Sequence, residues 1–323
     1  MKAVELFSGA GGFGLGLKYA GVKVVAAFEY NEDAAKTYAL NLDDVVTVAD
    51  VRDVDFRPYK GVDLVVGGPP CQPFSCASVV SKGKEDPRDM IPQFIRAVAE
   101  IRPKIFLMEN VPSLAAPRHR AYLQSILSQF AELGYNVDYA VLKASDFGLP
   151  TKRRRIFVAG RLDGKPKFPL SPGTAPATIS CRKLLDLTDL TECSTNIIYA
   201  KNPVVHRSVG GSLLVNGRGK VLDPDAPANT VLANASSGRH IVDPNGVFAE
   251  YHAHLQAGGK PRTGKVFGCR RINLLEAKRI QTFPDGFTTL GSNNSQWKQI
   301  GNAVPPRFAA AVIHTLIQPT KGN

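Results

Sequence analysis

The chain has 323 residues, about twice the ~150 expected of one domain, so two domains or one large domain with an insertion are expected, with ample length for a buried core. A composition of 44% hydrophobic and 21% charged residues excludes a disordered or fibrous chain, and no apolar run approaches the ~18 residues of a membrane span. The 40 Lys and Arg against 28 Asp and Glu leave a formal +12 that is unevenly spread: residues 1–150 hold 16 basic and 18 acidic side chains (net −2), residues 151–323 hold 24 and 10 (net +14).

That asymmetry points to a polyanionic partner, because summed positive potential steers phosphate backbones onto a surface. A plain solubility bias leaves the same composition. The first seven residues contain Glu5 and run into glycines, so they do not read as a secretory leader. Five widely spaced cysteines (Cys71, Cys76, Cys181, Cys193, Cys269) without a Cys-x-x-Cys pair suggest a reducing, cytoplasmic setting and no structural zinc.

In chain order, β-rich runs fall at 3–7, 22–28, 45–49, 62–66, 105–108 and 156–159, with amphipathic helices predicted at 12–20, 32–41, 91–101 and 121–133. Alternation of this kind predicts an α/β, Rossmann-like, mostly parallel sheet with helices on both faces. Ligands of such sheets sit beyond the carboxyl ends of the strands, so chemistry is sought in the residues just after each one. From 165 onward Pro, Gly and Thr become frequent, and turn signals such as Asn216-Gly217, Asp243-Pro244-Asn245-Gly246 and Gly258-Gly259 separate short strands. A β-rich, loop-heavy module is expected at 166–267, inserted before helices at 274–282 and 305–317.

The first strand runs into Phe7-Ser8-Gly9-Ala10-Gly11-Gly12-Phe13-Gly14, where Gly9, Gly11 and Gly14 fit G-x-G-x-x-G. Glycines bring bare backbone against a ligand at a helix N-terminus, and Glu29, 20 residues after Gly9, can bind ribose hydroxyls. Asp50, after the third strand, can meet an adenine amino group. The pattern suits a dinucleotide or S-adenosylmethionine equally, and a bare glycine turn is the bland alternative.

The fourth strand ends in Gly67-Gly68-Pro69-Pro70-Cys71-Gln72-Pro73-Phe74-Ser75. A structural cysteine normally hides on an apolar face, whereas Cys71 stands in a stiff loop beside the expected cofactor, as a nucleophile does. Cys76 lacks that setting and reads as packing. The next strand delivers Glu109-Asn110-Val111 to the same rim; a Glu there either caps a helix or hydrogen-bonds an electron-poor ring. In Thr151-Lys152-Arg153-Arg154-Arg155, Arg153 and Arg155 share one face by the period of two, and Lys152 and Arg154 read as solvated edge charges.

Together these segments resemble the DNA (cytosine-5)-methyltransferase family, of the bacterial modification type. Phe7 to Gly12 resembles the cofactor loop, Pro70-Cys71-Gln72 the nucleophile motif, Glu109-Asn110-Val111 the acid motif and Arg153-x-Arg155 part of the basic motif. Glu276-Ala277-Lys278-Arg279-Ile280-Gln281-Thr282-Phe283-Pro284 and Gln299-Ile300-Gly301-Asn302-Ala303-Val304-Pro305 match two more, in the family's order. Thr151 stands where the family usually has Gln on the DNA side, and Asn273 replaces a usual Thr, which bears on domain packing.

The resemblance implies a catalytic, S-adenosylmethionine-binding domain at 1–165 plus 268–323 and a target recognition domain at 166–267. Phe7, Ser8, Gly9, Ala10, Gly11, Gly12, Glu29, Tyr30, Asp50, Val51, Pro70, Ile91 and Asn302 would hold the cofactor. Cys71 would add to carbon 6 of a cytosine flipped out of duplex DNA, with Glu109 at ring nitrogen 3, Arg155 on the base's carbonyl oxygen and Arg153 on a nearby phosphate. Gln72, Ser75, Arg88, Thr230 and Arg239 are expected on the DNA, and residues 75–88 would form a lid. A monomer is expected, with a restriction endonuclease as a partner on the same site but not in a stable complex. Alternatives are a cytosine-5 methyltransferase of tRNA-type RNA, a nicotinamide oxidoreductase, which leaves Cys71 and Glu109 without work, and a catalytically dead DNA-binding relative. Only net +4 of the charge falls in 166–267 (11 basic, 7 acidic), so the basic residues should line both walls of a DNA cleft.

Overall fold

The computed structural model describes residues 1–70, 88–169, 179–187, 198–199, 205–207, 213–215, 221–233 and 240–319. Its centre is a seven-stranded sheet in the order β3-β2-β1-β4-β5-β7-β6, from β1 (Lys2–Leu6), β2 (Lys23–Glu29), β3 (Val46–Val48), β4 (Leu64–Gly67), β5 (Ile105–Asn110), β6 (Asn136–Lys143) and β7 (Arg154–Arg161). The first five strands are parallel, and β7 pairs antiparallel with both β5 and β6.

The alternation of strand side chains divides the core in two. Val4, Leu6, Val65, Phe106 and Met108 face α3 (Ile91–Ile101) and α4 (Arg120–Glu132). Ala3, Leu64, Val66, Ile105 and Leu107 face α1 (Gly12–Tyr19), Tyr38 of α2 (Glu32–Asn41) and the last helix. Because β1 lies between β2 and β4, the chain winds outward to β3, then returns to the other side of β1. That reversal opens a crevice beyond the carboxyl ends of β1 and β4.

After β7 the described strands are short: β8 (Ile198–Tyr199), β9 (Val205–Arg207), β10 (Leu213–Val215), β11 (Ile241–Val242), β12 (Gly264–Lys265) and β13 (Arg270–Arg271), paired antiparallel as β9–β10, β11–β13 and β8–β12. The chain continues through α5 (Val247–Gln256), α6 (Leu274–Ile280), α7 (Asn293–Asn302) and α8 (Pro306–Leu316). None of the described helices is long and apolar enough to cross a membrane.

Three elements depart from the sequence expectation. β6 is an edge strand in which three residues are exposed and none is fully buried, so its apolar residues mark no buried face strongly enough to be read as a strand. α5 lies where only short strands were expected: Asp243, in what reads as a turn, accepts the N–H groups of Val247 (2.8 Å) and Phe248 (2.9 Å) and starts a helix that buries Phe248 and Tyr251. α7 buries just two large apolar side chains, Trp297 and Ile300, too few to show a period. A third cluster joins Leu15 of α1 with Cys181, Leu222, Ala228 and Val231 and with Ile280 and Trp297, so apolar contact crosses the expected boundaries at 165 and 268.

Candidate active site

The loop after β1 is shaped by left-handed backbone: Phe7 (φ 54°), Gly9 (54°) and Gly11 (93°). For Phe7 that conformation costs about 1–2 kcal/mol, a strain typical of functional loops. Ser8 N–H donates to Phe28 O (3.0 Å), and Gly9 N–H donates to Glu29 Oε2 (2.8 Å), which stitches the loop to the end of β2. Glu29 Oε1 accepts Asn31 N–H (2.8 Å), and burial raises the carboxyl's pKa. Each oxygen keeps a lone pair for a ligand hydroxyl. Gly12 is required by close packing, since a Cβ there would lie 2.4 Å from Val304 O.

A cavity of about 310 Å³ opens beside this loop. Phe7, Tyr30, Asp50, Val51 and Pro70 line it. Phe7, Tyr30, Asp50 and Pro70 each stand within three residues of a strand's carboxyl end. Asp50 accepts Arg52 N–H and pairs with the Arg52 guanidinium, which holds its carboxyl below the usual range.

Phe28, Ala49, Arg52 and Met90 also line the cavity, unanticipated from sequence. Phe28 and Ala49 flank Glu29 and Asp50, so the strand-end rule reaches them; Arg52 and Met90 carry no comparable signal. One expectation is corrected: Ile91 is wholly buried in the core as the first residue of α3, and Met90 takes the cavity position. Arg88, expected on the DNA, also lines the cavity. Ser8 and Ala10 are buried, Ser8 Oγ has no hydrogen-bond partner among the described residues, and the Asn302 side chain is exposed at the end of α7.

The second part of the site lies where β4 and β5 end side by side. Gly67 pairs with Met108, so Glu109 stands beside Gly68. Glu109 is buried, its Oε1 lies 2.6 Å from Arg155 Nε, and a Cβ on Gly68 would come within 2.9 Å of Oε2. The bare Gly68 is therefore what leaves the carboxylate room. Asn110 Nδ2 donates to Pro69 O (3.2 Å) and anchors the loop that leads to Cys71. Cys71, Gln72, Ser75 and the lid up to 87 lie outside the described residues, as does Arg239.

Arg153 is the largest correction. It precedes β7, is wholly buried, and donates to the backbone oxygens of Gly301 (2.9 Å), Asn302 (2.9 Å) and Val231 (3.4 Å). Such a guanidinium has no surface to offer a phosphate. Thr151 is also buried and bridges Ala228, whose N–H and C=O pair with Pro150 O (2.9 Å) and Lys152 N–H (2.7 Å). Thr230, two residues on, is half-buried, and Leu232 is exposed.

The family model for C-5 cytosine-specific DNA methylase matches residues 1–318. Type II methyltransferase M.AplI of Arthrospira platensis is 34% identical over 97% of this chain and 84% of its own length. Type II methyltransferase M.NgoMIV of Neisseria gonorrhoeae is 34% identical over 99% and 98%. The crystal structure of the S. pombe Dnmt2 methyltransferase superposes with a TM-score of 0.69 at 17% identity, covering 98% of each chain, a likeness of fold. The nicotinamide reading of the glycine loop ends here: the chain belongs to the C-5 cytosine-specific DNA methylase family.

Proposed function

We propose that this DNA cytosine-5 methyltransferase acts on a cytosine rotated out of a specific short duplex sequence, with Cys71 as nucleophile and S-adenosyl-L-methionine in the cavity beside the glycine loop. The observation that carries this reading is the Glu109–Arg155 pair, whose buried carboxylate stands beside the bare Gly68 at the strand ends that lead to Cys71. The cavity suits an adenosine: apolar faces from Phe7, Val51 and Pro70, the ionised Asp50 at one end and Glu29 with free lone pairs nearby. When bound, S-adenosylmethionine supplies a sulfonium-activated methyl group.

Carbon 5 of cytosine is a poor nucleophile while the ring is aromatic. Cys71 thiolate adds to carbon 6, and Glu109 holds a proton at ring nitrogen 3 as charge develops there. Arg155, fixed by Glu109, donates to the base's carbonyl oxygen. Once carbon 5 carries the methyl group, loss of its proton expels Cys71. Both ring faces must be reached, so the base leaves the stack at a cost of a few kcal/mol. Residues 166–267 serve as the recognition module, and Thr230 and Arg239 contact DNA. The likeness to Type II methyltransferases supports a modification enzyme. Its proposed setting is a monomer in the cytoplasm that shares its site with an endonuclease it does not stably bind.

Tritiated S-adenosylmethionine is offered with unmethylated duplex DNA or with tRNA. Label is expected in DNA alone, bisulfite sequencing then gives the site, and label in tRNA alone refutes the duplex substrate. Cys71→Ser is expected to bind DNA and transfer no methyl group; an active variant overturns the covalent route.

A further inference from the structure

The carboxyl end of α7 is capped by two side chains from distant parts of the chain. Gln281 Nε2, just past α6, donates to Ile300 O (2.9 Å) and Ala303 O (3.2 Å), while Arg153 takes Gly301 O and Asn302 O (2.9 Å each). A helix ends with unpaired carbonyls and the negative pole of its dipole, so an amide and a guanidinium suit the place. Yet Arg153 is buried on hydrogen bonds to neutral carbonyls, with Nε unpartnered among the described residues, and burial lowers its pKa. A buried guanidinium is a costly cap for one helix.

Three parts of the site meet at this guanidinium. The turn it holds packs on the cofactor loop: a Cβ on Gly12 would lie 3.0 Å from Ala303 Cβ and 2.4 Å from Val304 O. Its third acceptor is Val231 O, and the next residues press on α7 so closely that a Cβ on Gly301 would come within 2.4 Å of Ala233 N. Two residues along the chain, Arg155 holds Glu109.

We propose that Arg153 is a positioning residue which, with Gln281, locks the α7 terminus so that the cofactor loop, the 231–233 segment and the Arg155–Glu109 pair keep one mutual geometry. It touches neither DNA nor cofactor. The proposal rests on the assignment of Glu109 and Arg155 to the flipped base.

Arg153→Met and Gln281→Leu test it by three readouts: S-adenosylhomocysteine affinity by calorimetry without DNA, duplex affinity across a salt series, and kcat. Arg153→Met is expected to weaken S-adenosylhomocysteine about tenfold. It should lower kcat about a hundredfold through misplacement of Arg155. The slope of log K against log salt stays at the wild-type value, because no phosphate contact is lost. Gln281→Leu moves cofactor affinity and kcat the same way by less, the two variants combine non-additively, and this variant carries the test if Arg153→Met does not fold. A salt slope reduced by about one overturns the proposal in favour of a phosphate contact. A folded variant that melts lower but binds S-adenosylhomocysteine like the wild type overturns it in favour of a merely structural cap. Failure of the wild type to methylate DNA would refute the functional reading instead, and leaves the calorimetric comparison standing.

Discussion

Two Arg–Glu pairs among the described residues, each built on a buried carboxylate, are constructed oppositely. At the junction of α6 and the short strands, Glu276 is saturated: Oε1 accepts Arg270 Nη2 (2.6 Å) and Asp186 N–H (2.9 Å), Oε2 accepts Arg270 Nη1 (2.8 Å) and Asn273 N–H (2.8 Å). Glu276 N–H in turn donates to Asn273 Oδ1 (2.8 Å), so the residue that replaces the family's usual Thr completes a capping box. At the rim of β4 and β5, Glu109 meets Arg155 through one contact of 2.6 Å, and Oε2 faces the space that Gly68 leaves open. A closed set of partners cements a junction, whereas a half-used one leaves an acceptor free for a ligand.

The largest effect that separates the two pairs is on rate. Glu109→Gln should cut methyl transfer about 10²- to 10³-fold with an unchanged melting temperature, measured by tritium incorporation and thermal unfolding; a variant that unfolds in proportion to its lost activity would make this pair structural too. Glu276→Gln should do the reverse. It strands the Arg270 charge in a buried site and costs about 3–5 kcal/mol in denaturant melts, while activity per folded molecule holds. Gly68→Ala closes the space at Oε2 and should slow methyl transfer about tenfold at a stability cost near ~1 kcal/mol, and an alanine variant with wild-type kcat would show that the space is not used.

The smallest effect concerns a carboxyl outside both pairs. Glu5, buried in β1, accepts Gly14 N–H (3.1 Å) and Tyr38 Oη–H (3.0 Å), and burial raises its pKa to about 8. The folded state therefore binds a proton that the unfolded chain, near 4.5, has released, so this group's contribution to stability falls as pH rises between those values. Glu5→Gln keeps the Gly14 bond on its amide oxygen and donates its amide N–H to Tyr38 Oη in place of accepting from it, all without the charge, so its melting temperature should exceed the wild type's increasingly from pH 5 to pH 8. A difference that does not depend on pH would show that Glu5 does not titrate in that window.

Much of the site was legible because it follows strand ends. Phe7, Tyr30, Asp50 and Pro70 line one cavity, and Glu109 and Arg155 meet at the neighbouring rim, since a parallel sheet collects such positions on one edge. The resemblance placed Arg153 on a phosphate, but its guanidinium is spent on the carbonyls of Gly301, Asn302 and Val231, partners 78 to 149 residues away that no local pattern reveals. The charge count shares this weakness: Arg153, Arg161 and Arg270 are tallied as basic surface, yet all three are buried. Arg161 donates to Gln318 O (3.0 Å) past the end of α8 and pairs with Asp163, so both ends of β7 spend an arginine on a helix terminus.

By itself the sequence determined the family, the parallel sheet and the order of its motifs, because local periodicity and short-range motifs are written in neighbouring residues. Which arginine is a surface charge and which a buried cap, which residue of the 90–91 pair reaches the cavity, and which of two Arg–Glu pairs is left open were decided by tertiary structure alone. Those outcomes depend on contacts between residues far apart in the chain, and a side chain's partners, not its type, set whether its charge is free to do chemistry.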